Sequence, residues 1–176
     1  MDRKQTADLL RELAQFFDSF GALPIIKDTH YRTSGNLSAR GDGGFLITQS
    51  ECDKLSLKPE NLVLVTEDGA SPGTPSREWR IHARIYRDYL AIMFIAHTHS
   101  NLLLNFSTGI PETGGFFTAA SEGEADEMLK LIALKPIVNS RDHGQILIAP
   151  SAKGVRKLFI DSHASALATI ARASGQ

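Results

Sequence analysis

Two histidines two positions apart, His97 and His99, are the residues of this sequence best suited to metal chemistry. They follow the apolar run 92–96, which predicts a buried strand. Side chains two positions apart in a strand lie on the same face, so both imidazoles can bind one ion. A catalytic zinc commonly has three protein ligands, and His143, which precedes Gly144 in a predicted turn, is the third candidate. The alternative is that the histidine pair binds no metal and only packs or faces solvent.

Two further residues can take part in catalysis or binding. Glu78 lies in the first turn of a helix predicted to begin at Ser76, where the helix dipole favours a carboxylate. It is either only an acidic residue at a helix start, or a general base, or a metal ligand that the substrate displaces. Asn36 follows Gly35, so it either makes a turn or donates its amide to an anionic ligand. Cys52 has no identifiable base beside it and is predicted to be a small buried residue.

Helices and strands in mixed order must position these groups. Helices are predicted over 5–20, from Ser76 to about Tyr89, after a Ser121–Glu124 capping box, and near the end of the chain. Strands are predicted over 36–40, 45–48, 62–66, 92–98, 137–138 and 146–149, whereas 101–120 reads as irregular. This order predicts an antiparallel or mixed sheet with helices packed on it.

Composition excludes several classes of protein. The chain has 176 residues, 42% of them hydrophobic, and a net charge of −1, which argues against disorder, nucleic-acid binding and attraction to anionic membranes. One cysteine cannot form an internal disulfide or a cysteine-rich zinc site. The length predicts one domain over 1–176. Without an apolar leader or a long apolar segment, and with a single cysteine, the sequence predicts a cytoplasmic protein.

Five short motifs in the same order resemble those of the class II aldolase/adducin family. They are Gly35-Asn36-Leu37-Ser38, Ile47 to Glu51, Pro75 to Glu78, His97 to Ser100, and His143-Gly144. The resemblance implies an α/β fold, an α/β/α sandwich around a largely antiparallel central sheet. It also implies a homo-oligomer, commonly a symmetric homotetramer.

The resemblance assigns roles to the motif residues. It implies that His97, His99 and His143 hold Zn²⁺, although imidazoles also suit other divalent transition metals. Glu78 matches the catalytic acid/base. The positions that bind the substrate, an anionic small molecule, are matched by Asn36, Ser50, Ser76 and Arg77.

The implied reaction is a lyase reaction through an enediolate, and its leading candidate is aldol cleavage of a small sugar phosphate or a related anionic carbonyl compound. A dehydratase, epimerase or decarboxylase on the same metal site is the alternative, and a non-catalytic adducin-like interaction module is another. Glu51 stands where the family has a glycine, and Arg77 where it has a serine. Arg77 either restores an anion site of a different shape, pairs with Glu51 and closes the site, or joins the exposed arginines of its helix. The chain is short for a sugar-phosphate aldolase. The tyrosines that the family's aldolases use as proton donors have no evident counterpart here, since all three tyrosines precede His97. The other histidines, His30, His82 and His163, are predicted to have solvent or packing roles.

Overall fold

A computed structural model describes residues 2–26, 32–67, 69–70, 73–115 and 121–175. The helices are α1 (Arg3–Asp18), α2 (Trp79–Asp88), α3 (Asn101–Phe106), α4 (Glu122–Ile132) and α5 (Ala152–Ala173), and a 3-10 turn spans Pro59–Asn61. The strands are β1 (Ile25–Ile26), β2 (Arg32–Thr33), β3 (Asn36–Gly41), β4 (Gly44–Thr48), β5 (Leu62–Thr66), β6 (Gly69–Ala70), β7 (Phe94–Thr98), β8 (Ile137–Ser140) and β9 (Gly144–Ala149).

Seven strands form one sheet in the order β6-β5-β4-β3-β7-β9-β8, and each neighbouring pair described is antiparallel. Strand β7 therefore lies inside the sheet, between β3 and β9. Its register places His97 opposite Asn36 on one side and opposite Ile146 on the other. Residues far apart in the chain thus meet at the carboxyl end of β7.

Helices cover both faces of this sheet. One core joins α1 and α5 to the side chains of Leu37, Ala96 and Leu147. The other joins α2 and α4 to Ile95 and Ile146, which point the opposite way because side chains alternate along a strand. The fold is thus an α/β/α sandwich around an antiparallel sheet, which confirms the predicted fold class.

Two element predictions were wrong. Helix α2 begins at Trp79, not at Ser76, because the Ser76 amide donates to the carbonyl of Thr48 at 3.1 Å and keeps this segment against the sheet. The stretch predicted to be irregular contains α3, whose start is capped by the Ser100 hydroxyl. Among the helices described, none is both long enough and apolar enough to span a membrane.

Candidate metal centre and its pocket

The three histidines singled out by their spacing converge in the structure. His97 is in β7, His99 follows its end, and His143 lies in the turn between β8 and β9. Because β9 pairs with β7, this turn lies beside the end of β7. One ring nitrogen from each histidine lies within 4.8 Å of the others. This arrangement offers three nitrogen ligands to one ion, at a spacing that small side-chain adjustments would close around it.

The hydrogen bonds and burial of these imidazoles fit a metal site. His97 Nδ1 donates to the carbonyl of Gln145 at 3.1 Å, so its Nε2 keeps a lone pair. That Nε2 lies 2.8 Å from Nε2 of His99. Burial lowers the pKa of His97 and of His99 to about 3, which keeps both rings neutral. Neutral imidazole is the form that binds metals.

His143 is oriented by a buried carboxylate that the sequence pattern assigned to another role. Glu124 Oε1 lies 3.8 Å from His143 Nδ1 and accepts a hydrogen bond from the Ser140 hydroxyl at 2.6 Å. The nearby Glu124 carboxylate raises the pKa of His143, and with Nδ1 on that side the Nε2 of His143 faces the other two histidines. The predicted capping box is therefore confirmed in part. The Ser121 hydroxyl accepts from the Glu124 amide at 3.2 Å, whereas the Glu124 carboxylate accepts from Ser140.

Two motif glycines allow the backbone to approach this centre. A Cβ on Gly35, whose φ is +71°, would lie 2.3 Å from the carbonyl oxygen of His97. A Cβ on Gly144 would lie 2.4 Å from the carbonyl oxygen of Thr98 and 2.9 Å from ring carbons of His97 and His99. Side chains at these two positions would push the neighbouring strands away from the histidines.

Glu78 faces the histidine cluster from the amino end of α2. It is 6% exposed, and its two carboxylate oxygens lie 3.5 Å from His97 Nε2 and 3.7 Å from His143 Nε2. Asn36 Nδ2 donates to Glu78 Oε2. Within the part of the chain that the structure describes, Asn36 Oδ1 is buried and has no hydrogen-bond partner. Asn36 therefore orients Glu78 and leaves one acceptor for a ligand.

These groups line a cavity of about 410 Å³, large enough for a small phosphorylated sugar. The predicted residues Ser50, Ser76 and Arg77 also line it, Arg77 from an exposed position. The Ser50 amide donates to the carbonyl of Thr74 at 2.8 Å, so the two loops that carry these residues are held together. The structure thus gathers every predicted site residue around one pocket.

Two lining residues bear on how this pocket would hold an anion. Glu51 adopts φ +62°, a left-handed conformation that favours glycine, and it is exposed. Lys54, by contrast, is buried and was not singled out by any motif. The one sequence feature that could have drawn attention to Lys54 is its place beside Asp53, shortly after the buried strand β4.

Among the described residues, the remaining histidines and tyrosines lie apart from the pocket lining. His82 and His163 are buried and bond to the hydroxyls of Ser38 (2.7 Å) and Ser100 (2.9 Å), in keeping with a packing role. His30 and Tyr31 lie outside the described residues. Of the tyrosines that are described, neither lines the cavity.

Comparison with known proteins gives one family and two kinds of relative. The model of the family described as "Class II Aldolase and Adducin N-terminal domain" matches residues 19–167. A methylthioribulose-1-phosphate dehydratase of Sorangium cellulosum is 33% identical over 143 residues, which are 76% of this chain and 64% of that protein. A 5-methylthioribulose-1-phosphate/5-deoxyribulose-1-phosphate aldolase of Rhodospirillum rubrum is 37% identical over 70 residues, 39% of this chain and 32% of its own length. The chain thus spans less than two thirds of these relatives.

Solved structures share the fold. The L-fuculose-1-phosphate aldolase of Thermus thermophilus superposes with a TM-score of 0.81 at 21% identity, covering 99% of this chain and 98% of that one. A putative aldolase/epimerase/decarboxylase of Klebsiella pneumoniae gives a TM-score of 0.79 at 19% identity, covering 97% of this chain and 90% of that one. The Thermus chain is matched almost end to end, so the two chains share the fold over nearly their whole lengths.

Proposed function

Because the chain belongs to the class II aldolase and adducin family, we propose that it is a metal-dependent lyase that acts on a phosphorylated ketose through an enediolate. The observation that carries the proposal is the convergence of His97, His99 and His143 opposite the buried carboxylate of Glu78. An interaction module has no need of three imidazoles gathered around a cavity.

The three histidines would hold a divalent metal, with zinc first and other transition metals as alternatives. Such an ion, when bound, supplies Lewis-acid stabilisation of negative charge on a substrate carbonyl oxygen. Because His97 and His99 are neutral, neither ring has to lose a proton before it binds the ion. Glu124 would orient His143, the third ligand.

Glu78 would move the proton. In the proposed step its carboxylate accepts the proton from the carbon next to the substrate carbonyl, leaving the electron pair of that C–H bond in the enediolate. Asn36 holds one oxygen of Glu78, so the other is free to face the substrate. The enediolate electrons then expel hydroxide from the next carbon, and Glu78 returns its proton to that oxygen, so that water leaves and the dehydration is complete.

We place dehydration before aldol cleavage for two reasons. The relative matched over 143 residues is named a dehydratase, and it covers more of this chain than the aldolase matched over 70. No tyrosine lines the cavity among the described residues, whereas the family aldolases use tyrosines as proton donors. Aldol cleavage is the second candidate, favoured by the Rhodospirillum relative.

One assay separates these reactions. Metal-loaded protein is incubated with 5-methylthioribulose 1-phosphate, and the products are identified by mass spectrometry. Dehydration gives one product lighter by a water molecule, whereas cleavage gives a three-carbon ketose phosphate and an aldehyde. Formation of neither product, also from other ketose phosphates, would contradict the proposal.

Glu78→Gln tests the role of the base. This variant should keep the metal and lose turnover by about 10²–10⁴-fold, because the amide cannot accept the proton. Glu60→Gln, which changes an exposed glutamate on the 3-10 turn, is the control and should stay active. Full activity of Glu78→Gln would refute the assignment.

We further propose a homotetramer in the cytoplasm, as the family resemblance and the composition predict. Light scattering on the purified protein measures the first, and cell fractionation the second.

A further inference from the structure

Lys54 presents a buried ammonium group to the catalytic pocket. The residue is 3% exposed and lines the cavity together with Glu78 and the three histidines. Its Nζ donates to the carbonyl of Thr33 at 2.6 Å and to that of Cys52 at 3.3 Å. An ammonium group has three N–H donors. Among the described residues these two carbonyls are its acceptors, so one N–H remains for a ligand.

No carboxylate within the described part of the chain forms an ion pair with Lys54. The neighbouring Asp53 uses its oxygens for the Leu55 amide at 3.0 Å and the Ser56 hydroxyl at 2.6 Å. Burial lowers the pKa of Lys54, as expected for a cation with too few partners. Its charge also contributes to the lowered pKa values of His97 and His99, which places it on the side of the metal centre.

A second, independent group points to the same ligand. The hydroxyl oxygen of Ser34 is buried and lacks a hydrogen-bond partner among the residues described, and Ser34 lines the same cavity. Burying a hydroxyl group without a hydrogen-bond partner destabilises the folded protein, and a ligand oxygen that accepts a hydrogen bond from the hydroxyl removes this penalty. A cation and a hydroxyl donor in one wall of a pocket together suit an anionic oxygen.

We propose that Lys54 Nζ and Ser34 Oγ bind the phosphate group of the substrate in this protein. The identity of the anion rests on the proposed function, whereas the anion site rests on the buried donors themselves. In the motif from Ile47 to Glu51, exposed Glu51 stands in place of the family's glycine and adds a negative charge to the lining of the pocket. Lys54 supplies a positive charge deeper in the same cavity.

The alternative is that Lys54 only ties together the carbonyls of Thr33 and Cys52. Binding of inorganic phosphate to the metal-loaded protein, measured by isothermal titration calorimetry, separates the two roles. Lys54→Met should weaken phosphate binding at least tenfold, since a hydrogen bond to a charged group is lost. Lys153→Met, which removes an exposed lysine from α5, is the matched control and should bind phosphate normally.

Ser34→Ala keeps the experiment decisive if Lys54→Met fails to fold. Its hydroxyl makes no hydrogen bond within the described structure, so its loss should leave the melting temperature unchanged and weaken phosphate binding several-fold. Unchanged phosphate affinity in Ser34→Ala and in folded Lys54→Met would overturn the proposal. Acetate should bind more weakly than phosphate, and equal binding of both would refute phosphate as the ligand.

Kinetics give a second readout. With an active substrate, Lys54→Met should raise KM at least tenfold for the phosphorylated ketose and leave KM for the same ketose without phosphate unchanged. Phosphate binding requires no turnover. A protein that binds phosphate through Lys54 but cleaves or dehydrates no ketose would therefore contradict the proposed function and leave this anion site standing.

Discussion

Gly144→Ala tests whether the close packing of β9 against the end of β7 determines the geometry of the metal site. The added Cβ would lie 2.4 Å from the carbonyl oxygen of Thr98 and 2.9 Å from ring carbons of His97 and His99. Ordinary contacts of a Cβ begin near 3.4 Å. The difference from the Thr98 contact, 3.4 − 2.4 = 1.0 Å, is the distance by which the turn and the strand end must separate.

This displacement affects both stability and metal binding. Forcing an extra methyl group into a packed interior typically costs about 1–3 kcal/mol, and we expect the upper half of that range because a backbone atom is in the way. For a chain of this size, a loss of about 2–3 kcal/mol lowers the melting temperature by roughly 4–12 °C. His143 is adjacent to the substituted position and would move relative to His97 and His99, so we expect metal affinity to fall at least tenfold.

Calorimetry of the metal-free protein and titration with Zn²⁺ measure the two effects separately. Gly114→Ala is the matched control, because a Cβ there meets first the flexible carboxylate of Glu127, at 3.2 Å. It should change the melting temperature little and leave zinc affinity unchanged. If Gly144→Ala unfolded at the wild-type temperature and bound zinc with wild-type affinity, the close approach would not determine the site.

Three other predictions concern single carboxylates or histidines. Glu124→Gln should lower zinc affinity about 10–100-fold, because it weakens the group that orients His143. Glu122→Gln changes an exposed glutamate on the same helix and should leave zinc affinity unchanged. Equal zinc affinities of the two variants would refute the orienting role of Glu124. Burial lowers the pKa of His82 from 6.5 to about 3, so its neutral form stabilises the fold above pH 6.5, and stability is lost as the pH falls toward 3, by about 1.4 kcal/mol per pH unit. Denaturant unfolding of the metal-free protein should therefore depend less steeply on pH in His82→Gln, and an identical slope would contradict this. Glu51→Gly should change stability by no more than about 1 kcal/mol, since glycine adopts φ +62° without strain, and should lower KM for a phosphorylated ketose; a higher KM would show that the carboxylate helps binding.

The part of the site that was predictable from sequence depends on short-range geometry. His97 alternates in step with Ile95, whose side chain packs with α2 and α4, and the imidazole of His99, just beyond the strand end, meets that of His97 as the two-residue spacing predicts. Glu78 lies at the amino end of α2, close to its predicted place. His143 was a candidate from its place in a predicted turn, and the family resemblance strengthened an assignment for which the spacing alone says little.

The part that was not predictable depends on contacts between distant segments. The Ser121-x-x-Glu124 pattern is typical of a capping box, but Glu124 reaches Ser140 in β8, 16 positions later, which no local pattern indicates. Lys54 resembles a surface lysine in sequence, yet the carbonyl of Thr33, 21 positions earlier, holds it inside. Ser76 is typical of a helix cap, but its bond to Thr48 delays the start of α2. In each case tertiary contacts prevailed over local preference.

The pocket divides its tasks between two kinds of structure. The imidazoles lie at the ends of strands within the sheet, where a substitution would disturb the core. Most residues proposed to face the anionic end of a substrate lie in the loops 49–54 and 74–77, outside the regular elements. Mutations accumulating in these loops can change which molecule is accepted without altering the metal ligands. One scaffold can thereby diverge in evolution toward new substrates while its bond-breaking chemistry is inherited unchanged.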